Sequence, residues 1–221
     1  MPARNSRKIY YENGFYHVYN RGVEKRPIFE DQQDISVFLS YLKEYLSYRD
    51  DNLLLHKIGS GELTSKEKRD CVNRIQLNNF FNEISLLCYG LMPNHFHFLL
   101  RQEQERSMDI LMNSLGTRYT MYFNKKYKRV GSLYQGVYKA VEVSSEEYLL
   151  YLSKYIHYQT LVINYPSSFE EYLGRRKTDW VNTDIILSYF SKANDANSYE
   201  AFVKGVDFEG LSLVKDLVLE D

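Results

Sequence analysis

The sequence has few of the features that mark secreted or membrane proteins. It contains only two cysteines, Cys71 and Cys88, whose number and spacing provide neither a disulfide framework nor a cysteine metal site. No apolar run approaches the roughly 20 residues that a membrane span requires. The basic N-terminal residues are followed by no apolar stretch, so we expect no secretory signal. These absences favour a protein of the reducing cytoplasm without membrane contact.

Acidic residues are missing from one long stretch, although the net charge of the chain is only −1. No Asp or Glu occurs from Ile110 to Val141, where six Tyr or Phe residues alternate with Arg118, Lys125, Lys126, Lys128, Arg129 and Lys139. Cationic side chains can neutralise phosphates, and aromatic rings can stack on unpaired bases. The alternative is a solvated helix face over a tyrosine-rich core, and composition alone leaves both open.

The order of the predicted elements indicates an α+β fold. In chain order they are the strand GFYHVYNRG, a helix capped by Asp31, the strands EISLLCYGLM and HFHFLLR in a hairpin around Pro93-Asn94, a helix from Ser107, the strand VYKAVEV, and a helix capped by Ser144 or Ser145. The first six follow the β-α-β-β-α-β order of ferredoxin-like folds. Such a fold has an antiparallel sheet with helices on one face.

Two segments depart from this core. Residues 51–82 are polar and charged, and we interpret them as an insertion with a short helix from about Ser65. Beyond Pro166 the chain is acidic and predicts a small helical extension over 166–221, which leaves 1–165 as the main domain.

Two histidines lie one residue apart in the second strand of the predicted hairpin. Because side chains of a strand alternate between its faces, His95 and His97 point the same way, and Phe96 and Phe98 point into a core. Two neutral imidazoles on one face can bind a metal ion. Two ligands do not complete a site, so a chance pair remains the alternative.

The last predicted helix offers a third ligand and a nucleophile. Tyr155 and Gln159 are four residues apart and share a helical face. An amide oxygen can bind a hard divalent ion, and a metal that polarises a phosphodiester would offset the weak nucleophilicity of a neutral phenol. The chain has 21 tyrosines, so this spacing also arises by chance, and Tyr148, Tyr151 and Tyr158 are competitors nearby.

Four phrases resemble one family. They are FYHVYNRG (15–22), YGLMPNHFHFLL (89–100), GSLYQGVYKAVEV (131–143) and YIHYQT (155–160). They look like the HUH superfamily of single-stranded DNA nucleases, in which a bulky hydrophobic residue separates two histidines. The likeness is greatest to insertion-sequence-200-like single-tyrosine transposases and, among them, REP-associated tyrosine transposases. It extends over most of the chain.

The resemblance implies roles for individual residues. His95 and His97 match the metal-binding pair, Gln159 the third ligand, and Tyr155 the nucleophile that forms a 5′-phosphotyrosine link with DNA. The implied metal is Mg²⁺ or Mn²⁺, and the implied substrate is single-stranded or hairpin DNA. Relatives act as monomers or homodimers. The DNA would contact the basic stretch and also Asn20 and Arg21.

Two departures from the family pattern keep alternatives open. REP-associated members carry Asn-Pro where this chain has Gln159-Thr160, although the parent family uses glutamine there. The insertion at 51–82 is the second departure.

One alternative function is a non-catalytic, domesticated transposase that only binds hairpins. Another is a replication-initiator or relaxase-like nuclease of the same superfamily, since Tyr151 and Tyr155 match a paired-tyrosine spacing.

Overall fold

A four-stranded antiparallel sheet organises the chain. The computed structural model describes residues 10–104, 106–191 and 197–205. The strands β1 (Gly14–Arg21), β2 (Ile84–Met92), β3 (His95–Gln102) and β4 (Lys139–Glu142) lie side by side in the order β2-β3-β1-β4. This arrangement confirms the predicted ferredoxin-like, α+β fold.

Helices fill the connections between the strands and the segment after β4. They are α1 (Gln32–Leu46), α2 (Asp51–Gly59), α3 (Ser65–Gln76), α4 (Ser107–Lys126), α5 (Glu146–Ile163), α6 (Phe169–Tyr172), α7 (Asp184–Leu187) and α8 (Tyr199–Lys204). The Asp31 carboxylate caps α1, and Ser145 rather than Ser144 caps α5. Among the described residues, no helix is long and apolar enough to cross a membrane.

The sheet separates two hydrophobic cores. Phe96, Phe98 and Leu100 of β3 pack on the side of α1 and α4, so these two helices share one face as predicted. Leu99 points to the opposite side and packs with α5. Helix α5, which the sequence predicted after the ferredoxin-like elements, therefore covers the second face. Part of the sheet thus lies between α5 on one side and α1 and α4 on the other.

The predicted insertion and extension pack differently. The helices α2 and α3, both fully described, bury none of their side chains, which fits their polar sequence. By contrast, Phe169, Tyr172 and Tyr199 are buried beside α5 in the second core. The boundary between 1–165 and 166–221 stays a prediction, and residues 192–196 and 206–221 of the extension lie outside the described residues.

Candidate active site

The hairpin of β2 and β3 presents the two predicted histidines together. Met92 pairs with His95, so Pro93 and Asn94 form the two-residue turn that the sequence predicted. His95 and His97 lie on the same face of β3, with ring centroids 5.0 Å apart. Their shared orientation confirms the strand-alternation argument, whereas their role as metal ligands stays a prediction.

Hydrogen bonds around His95 define which of its ring nitrogens faces the site. The Asn94 amide donates from Nδ2 to the Lys25 carbonyl at 3.1 Å, which leaves Oδ1 as the acceptor. That Oδ1 lies 2.6 Å from His95 Nδ1. Nδ1 must therefore carry the proton in this bond, and Nε2 keeps its lone pair for a metal.

A third histidine, absent from our sequence predictions, lies behind this pair. His17 on β1 is fully buried, and its Nε2 is 2.7 Å from His97 Nδ1. The contact joins two strands that are 80 positions apart in sequence. Only the register of β1 against β3 brings the two rings together, so no local spacing in the sequence could have indicated it.

Burial keeps the two candidate ligands neutral. Desolvation, aided by the nearby charge of Arg21, lowers the pKa of His95 to about 4. Desolvation, together with the neighbouring His17 and His95, holds the pKa of His97 well below its usual value. Neutral imidazole is the form that ligates metals, so both side chains are competent ligands at physiological pH.

A glycine allows α5 to approach the histidines closely. Gly90 of β2 pairs with His97 and faces α5. A Cβ atom at this position would lie 2.8 Å from Ile156 Cγ2 and 3.1 Å from the Ile156 carbonyl oxygen. Any larger residue would push α5 away from the sheet. The absence of a side chain at Gly90 thus brings the helix with Tyr155 and Gln159 next to His97.

Tyr155 and Gln159 meet in front of His97. The Tyr155 and His97 rings lie edge to face, with centroids 6.0 Å apart. One turn later in α5, Gln159 Nε2 donates a hydrogen bond to the Tyr155 hydroxyl. Gln159 Oε1 is buried without a hydrogen-bond partner among the described residues. A buried acceptor of this kind is costly unless a ligand satisfies it.

Of the competing tyrosines of α5, two face away from the candidate site and one borders it. Tyr151 packs against Phe202 of α8, with ring centroids 5.6 Å apart. Tyr148 packs at the margin of the second core. Tyr158 is exposed and lines a cavity of about 330 Å³ that also includes His95 and Gln159, so it is the nearest alternative nucleophile.

A buried polar network fixes α5 to the segment that follows it. His157 is completely buried, and its ring nitrogens lie 2.7 Å from the Tyr199 hydroxyl and 2.8 Å from Ser168 Oγ. Ser168 Oγ also accepts a hydrogen bond from the Tyr89 backbone N–H of β2. This serine and histidine have no access to substrate, and their effect is to hold α5 against the sheet.

The donor atoms around Tyr155 suit a divalent metal. Within the described ranges, no group of three or more His, Cys, Asp and Glu side chains is arranged to hold an ion. The ligand set predicted from the sequence, two imidazole nitrogens of His95 and His97 and one amide oxygen of Gln159, stays a prediction. The partnerless state of Gln159 Oε1 fits this ligand set.

Structure changes the interpretation of the basic stretch. Most of its aromatic residues are core residues and are not available to stack on bases: Tyr119, Phe123, Tyr134 and Tyr138 are at most 8% exposed. Arg118 Nη2 lies 2.6 Å from Glu44, and Lys126 Nζ lies 2.7 Å from both Asp31 and Asp34. Of the two interpretations that the composition left open, the tyrosine-rich core is correct for these four rings, and two of the predicted cations have structural partners.

The remaining predicted DNA contacts lie on three different elements. Lys125 and Lys128 are exposed at the end of α4, where the half-buried Arg129 donates to Asn124 Oδ1. Lys139 is exposed on β4, at the other edge of the sheet from β2. On β1, Arg21 pairs with His95 beside the candidate site.

Asn20 has a structural task on β1. Its Nδ2 donates to the Gly136 carbonyl at 3.1 Å, and its Oδ1 accepts from the Arg21 backbone N–H. These bonds hold the loop before β4 against β1. DNA contact by any residue of the predicted set stays a prediction.

Comparison with known families agrees with this geometry. The model of the family described as "Transposase IS200 like" matches residues 57–159, just under half of the chain. These residues are similar to that family. The segment includes His95, His97, Tyr155 and Gln159, and it ends at Gln159.

Two solved structures resemble most of the chain more distantly. A REP-associated tyrosine transposase bound to a REP hairpin is 12% identical, with a TM-score of 0.43 over 81% of this chain and 92% of that chain. A proposed transposase from Deinococcus radiodurans is 14% identical, with a TM-score of 0.37 over 71% and 97% of the two chains. No curated protein sequence matches the chain.

Proposed function

We propose that this chain cuts and rejoins single-stranded DNA through a covalent bond to Tyr155, at a site that binds a divalent metal. One observation carries the proposal. Tyr155, Gln159 and His97 converge from a helix and a strand, with the Gln159 amide bonded to the Tyr155 hydroxyl and the His97 ring 6.0 Å from the Tyr155 ring. The family match, which includes all of these residues, gives independent support.

His95, His97 and Gln159 are the proposed metal ligands, through Nε2 of each imidazole and Oε1 of the amide. When bound there, Mg²⁺ or Mn²⁺ would neutralise and polarise a phosphate group. The neutral imidazoles and the partnerless Gln159 Oε1 provide lone pairs without adding charge. The two ions suit a mixed nitrogen and oxygen ligand set, and cells supply both.

Tyr155 is the proposed nucleophile. Its oxygen attacks the phosphorus of a phosphodiester in line with the 3′ oxygen. The bond between phosphorus and the 3′ oxygen breaks as a bond forms between phosphorus and the tyrosine oxygen. The phenol gives up its proton and the 3′ oxygen gains one, so a 5′-phosphotyrosine and a free 3′ hydroxyl result. Attack by another 3′ hydroxyl reverses the step and rejoins DNA without an energy source.

Two residues near Tyr155 would assist this step, one by orienting the tyrosine oxygen and one by its positive charge. Gln159 Nε2 donates to the tyrosine oxygen and restrains its direction. Arg21 lies across from His95 and adds a positive charge where the phosphate would bind. Single-stranded or hairpin DNA is the proposed partner, bound by a monomer or a homodimer.

A covalent adduct on a denaturing gel tests the proposal. We expect a labelled single-stranded or hairpin oligonucleotide to become attached to the protein in Mn²⁺ and to remain free when the metal is chelated. Tyr155→Phe removes only the hydroxyl and should abolish the adduct, whereas Tyr151→Phe and Tyr158→Phe should keep it. His95→Ala should abolish the adduct and leave the fold intact, because His95 lies at the end of β3.

Other outcomes identify the alternatives. Oligonucleotide binding without any adduct in Mg²⁺ or Mn²⁺ would indicate a hairpin-binding protein. Loss of the adduct in Tyr151→Phe, with retention in Tyr155→Phe, would indicate a nuclease of the initiator type.

A further inference from the structure

The buried contact between His17 and His97 has no role in the ligand set itself. The two residues are diagonal neighbours across β1 and β3, because His17 pairs with Leu99 and Tyr19 pairs with His97. Their rings are stacked, with centroids 4.9 Å apart and planes 17° apart. The 2.7 Å separation of His17 Nε2 and His97 Nδ1 requires a proton between them.

The direction of this hydrogen bond decides what His97 can do. If His97 Nδ1–H donates to His17, then His97 Nε2 has a free lone pair. If His17 Nε2–H donates instead, the neutral His97 carries its proton on Nε2, and that nitrogen cannot bind a metal. The hydrogen bond therefore leaves His97 able to bind a metal if His97 is the donor and unable to do so if His17 is the donor.

We infer that His17 is a positioning residue that accepts a hydrogen bond from His97 Nδ1–H and so directs the lone pair of His97 Nε2 into the site. This inference rests on the proposed metal site. Asn94 accepts from His95 Nδ1–H in the same manner. Each candidate ligand thus has its own acceptor behind it, an arrangement that orients imidazoles in metal sites.

A histidine suits this position better than the usual carboxylate. His17 is 0% exposed and lies among Tyr19, Leu99 and Val141 on neighbouring strand positions. A buried carboxylate would carry a large desolvation penalty even with His97 Nδ1–H as its partner, whereas a neutral imidazole accepts the same hydrogen bond without charge. His17 therefore holds His97 and adds no negative charge near a phosphate substrate.

Measuring the ring tautomer of His97 tests the inference directly, and the measurement needs neither metal nor DNA. Long-range proton–nitrogen NMR of the ¹⁵N-histidine-labelled full chain distinguishes a proton on Nδ1 from one on Nε2. We expect His97 to carry its proton on Nδ1 in the metal-free protein. A proton on Nε2 of His97 would overturn the inference, whatever the protein does with DNA.

Metal affinity gives a second readout, measured by titration with Mn²⁺ and electron paramagnetic resonance of the free ion. His17→Leu removes the acceptor and should weaken Mn²⁺ binding about 10- to 100-fold, the usual effect of losing such a partner. His17→Gln places an amide oxygen near the former Nε2 position and should recover most of the affinity. Tyr19→Phe is the matched control, because Tyr19 contacts both rings and its phenyl ring is kept.

The outcomes separate this inference from the proposed function. If the unaltered protein binds no Mn²⁺ and forms no adduct, the proposed function fails, and the NMR result still decides the direction of the bond. If it binds Mn²⁺ and His17→Leu binds equally well, His17 is only a packing residue. Should His17→Leu fail to fold, the NMR tautomer remains the test, and a loss of Mn²⁺ affinity of about 10-fold or more in His17→Gln, with Tyr19→Phe unaffected, would contradict the inference.

Discussion

The two polar atoms of the Gln159 side-chain amide have different surroundings. Nε2 donates to the Tyr155 hydroxyl, and Oε1 is buried without a partner among the described residues. An amide can supply both a donor toward the tyrosine and an acceptor for the proposed metal. Glutamate would offer oxygens at both ends, and histidine would have a different reach.

Gln159→Glu is therefore expected to separate metal binding from catalysis. The carboxylate should bind Mn²⁺ at least as tightly as the amide, because it adds a negative charge to the ligand set. It cannot donate to Tyr155 when ionised, and it repels the developing phenolate, so adduct formation should slow by roughly 100-fold. Mn²⁺ titration and single-turnover adduct formation measure the two effects. An adduct rate equal to that of the unaltered chain would show that donation by Nε2 is unimportant.

Individual site residues differ in how far the sequence could predict them. The alternation of side chains in a strand and the four-residue repeat of a helix placed His95 with His97 and Tyr155 with Gln159. Both are local rules. The contact of His17 with His97 depends on the register of β1 against β3, and the need for glycine at position 90 depends on the approach of α5. Both are long-range contacts that local sequence patterns do not predict.

At the scale of elements, α1 and α4 are joined by one buried carboxylate. Asp34 of α1 is fully buried and accepts hydrogen bonds from Lys126 Nζ, the Tyr122 and Tyr127 hydroxyls and the Glu30 backbone N–H. Burial alone would raise the pKa of Asp34, but these four donors together hold it below its usual value. The ionised form is thus the one that stabilises the helix pair.

The Asp34 cluster predicts an acid-sensitive contribution to stability. Because the folded pKa lies below the unfolded one, the contribution is complete above about pH 4 and is lost as pH falls toward the folded pKa. At pH 7, Asp34→Asn should lower the free energy of unfolding by about 3 kcal/mol and remove that part of the acid dependence. Asp31→Asn is the control, because asparagine still caps α1 and the Asp31 carboxylate is half exposed, so its effect on the free energy of unfolding should be much smaller. Urea unfolding from about pH 2 to pH 7 measures both, and equal losses for the two variants would contradict the assignment.

Element boundaries show which signals the sequence contained. Helix α2 was missed, although Asp50 accepts a hydrogen bond from the Leu53 N–H as a normal N-cap, because the polar composition of 51–82 masked a weak apolar pattern. The predicted strand VYKAVEV is regular only over Lys139–Glu142. The composition of 110–141 left a stacking surface and a tyrosine-rich core both open, and only the structure shows that Tyr119, Phe123, Tyr134 and Tyr138 are core residues.

At the scale of the whole molecule, the proposed DNA contacts depend on which cationic side chains are exposed and which are paired with carboxylates. Lys126 and Arg118 are engaged with carboxylates of α1, so removing them would test stability and not DNA contact. Lys125, Lys128 and Lys139 are exposed and remain the cleanest test of the basic stretch.

Replacing Lys125, Lys128 and Lys139 together with Gln should weaken DNA binding and reduce its dependence on salt. Each lost phosphate contact lowers the slope of log affinity against log salt by about 0.7 for single strands, so three should lower it by about 2. The matched control replaces Lys57, Lys66 and Lys68, which are exposed on α2 and α3. Fluorescence anisotropy at several salt concentrations measures the slopes. Equal slopes for the two triple variants would mean that the basic stretch is a solvated helix face.

The insertion that carries α2 and α3 leaves and re-enters the fold at nearly the same place. Arg49 Nη1 donates to the Leu77 carbonyl at 2.7 Å, and Asn79 Nδ2 donates to the Ser47 carbonyl at 2.9 Å. Phe80 N–H donates to the Tyr45 carbonyl just inside these contacts. The end of α1 and the start of the path to β2 are thus held together without the helices between them.

Replacing residues 51–76 with a short Gly-Ser linker should therefore leave a folded chain. The segment buries no side chain of α2 or α3, and closing a shorter loop lowers the entropy cost of folding slightly. We expect the melting temperature to change by only a few degrees and the adduct at saturating DNA to form at the original rate. The loss of Asp51 removes its ion pair with Arg49, so Asp51→Asn in the full chain controls for that contact. If the shortened chain keeps its stability but needs more DNA to saturate, the insertion is a DNA-binding extension. If it unfolds while Asp51→Asn does not, α2 and α3 belong to the folding unit and the interpretation of 51–82 as an insertion is wrong.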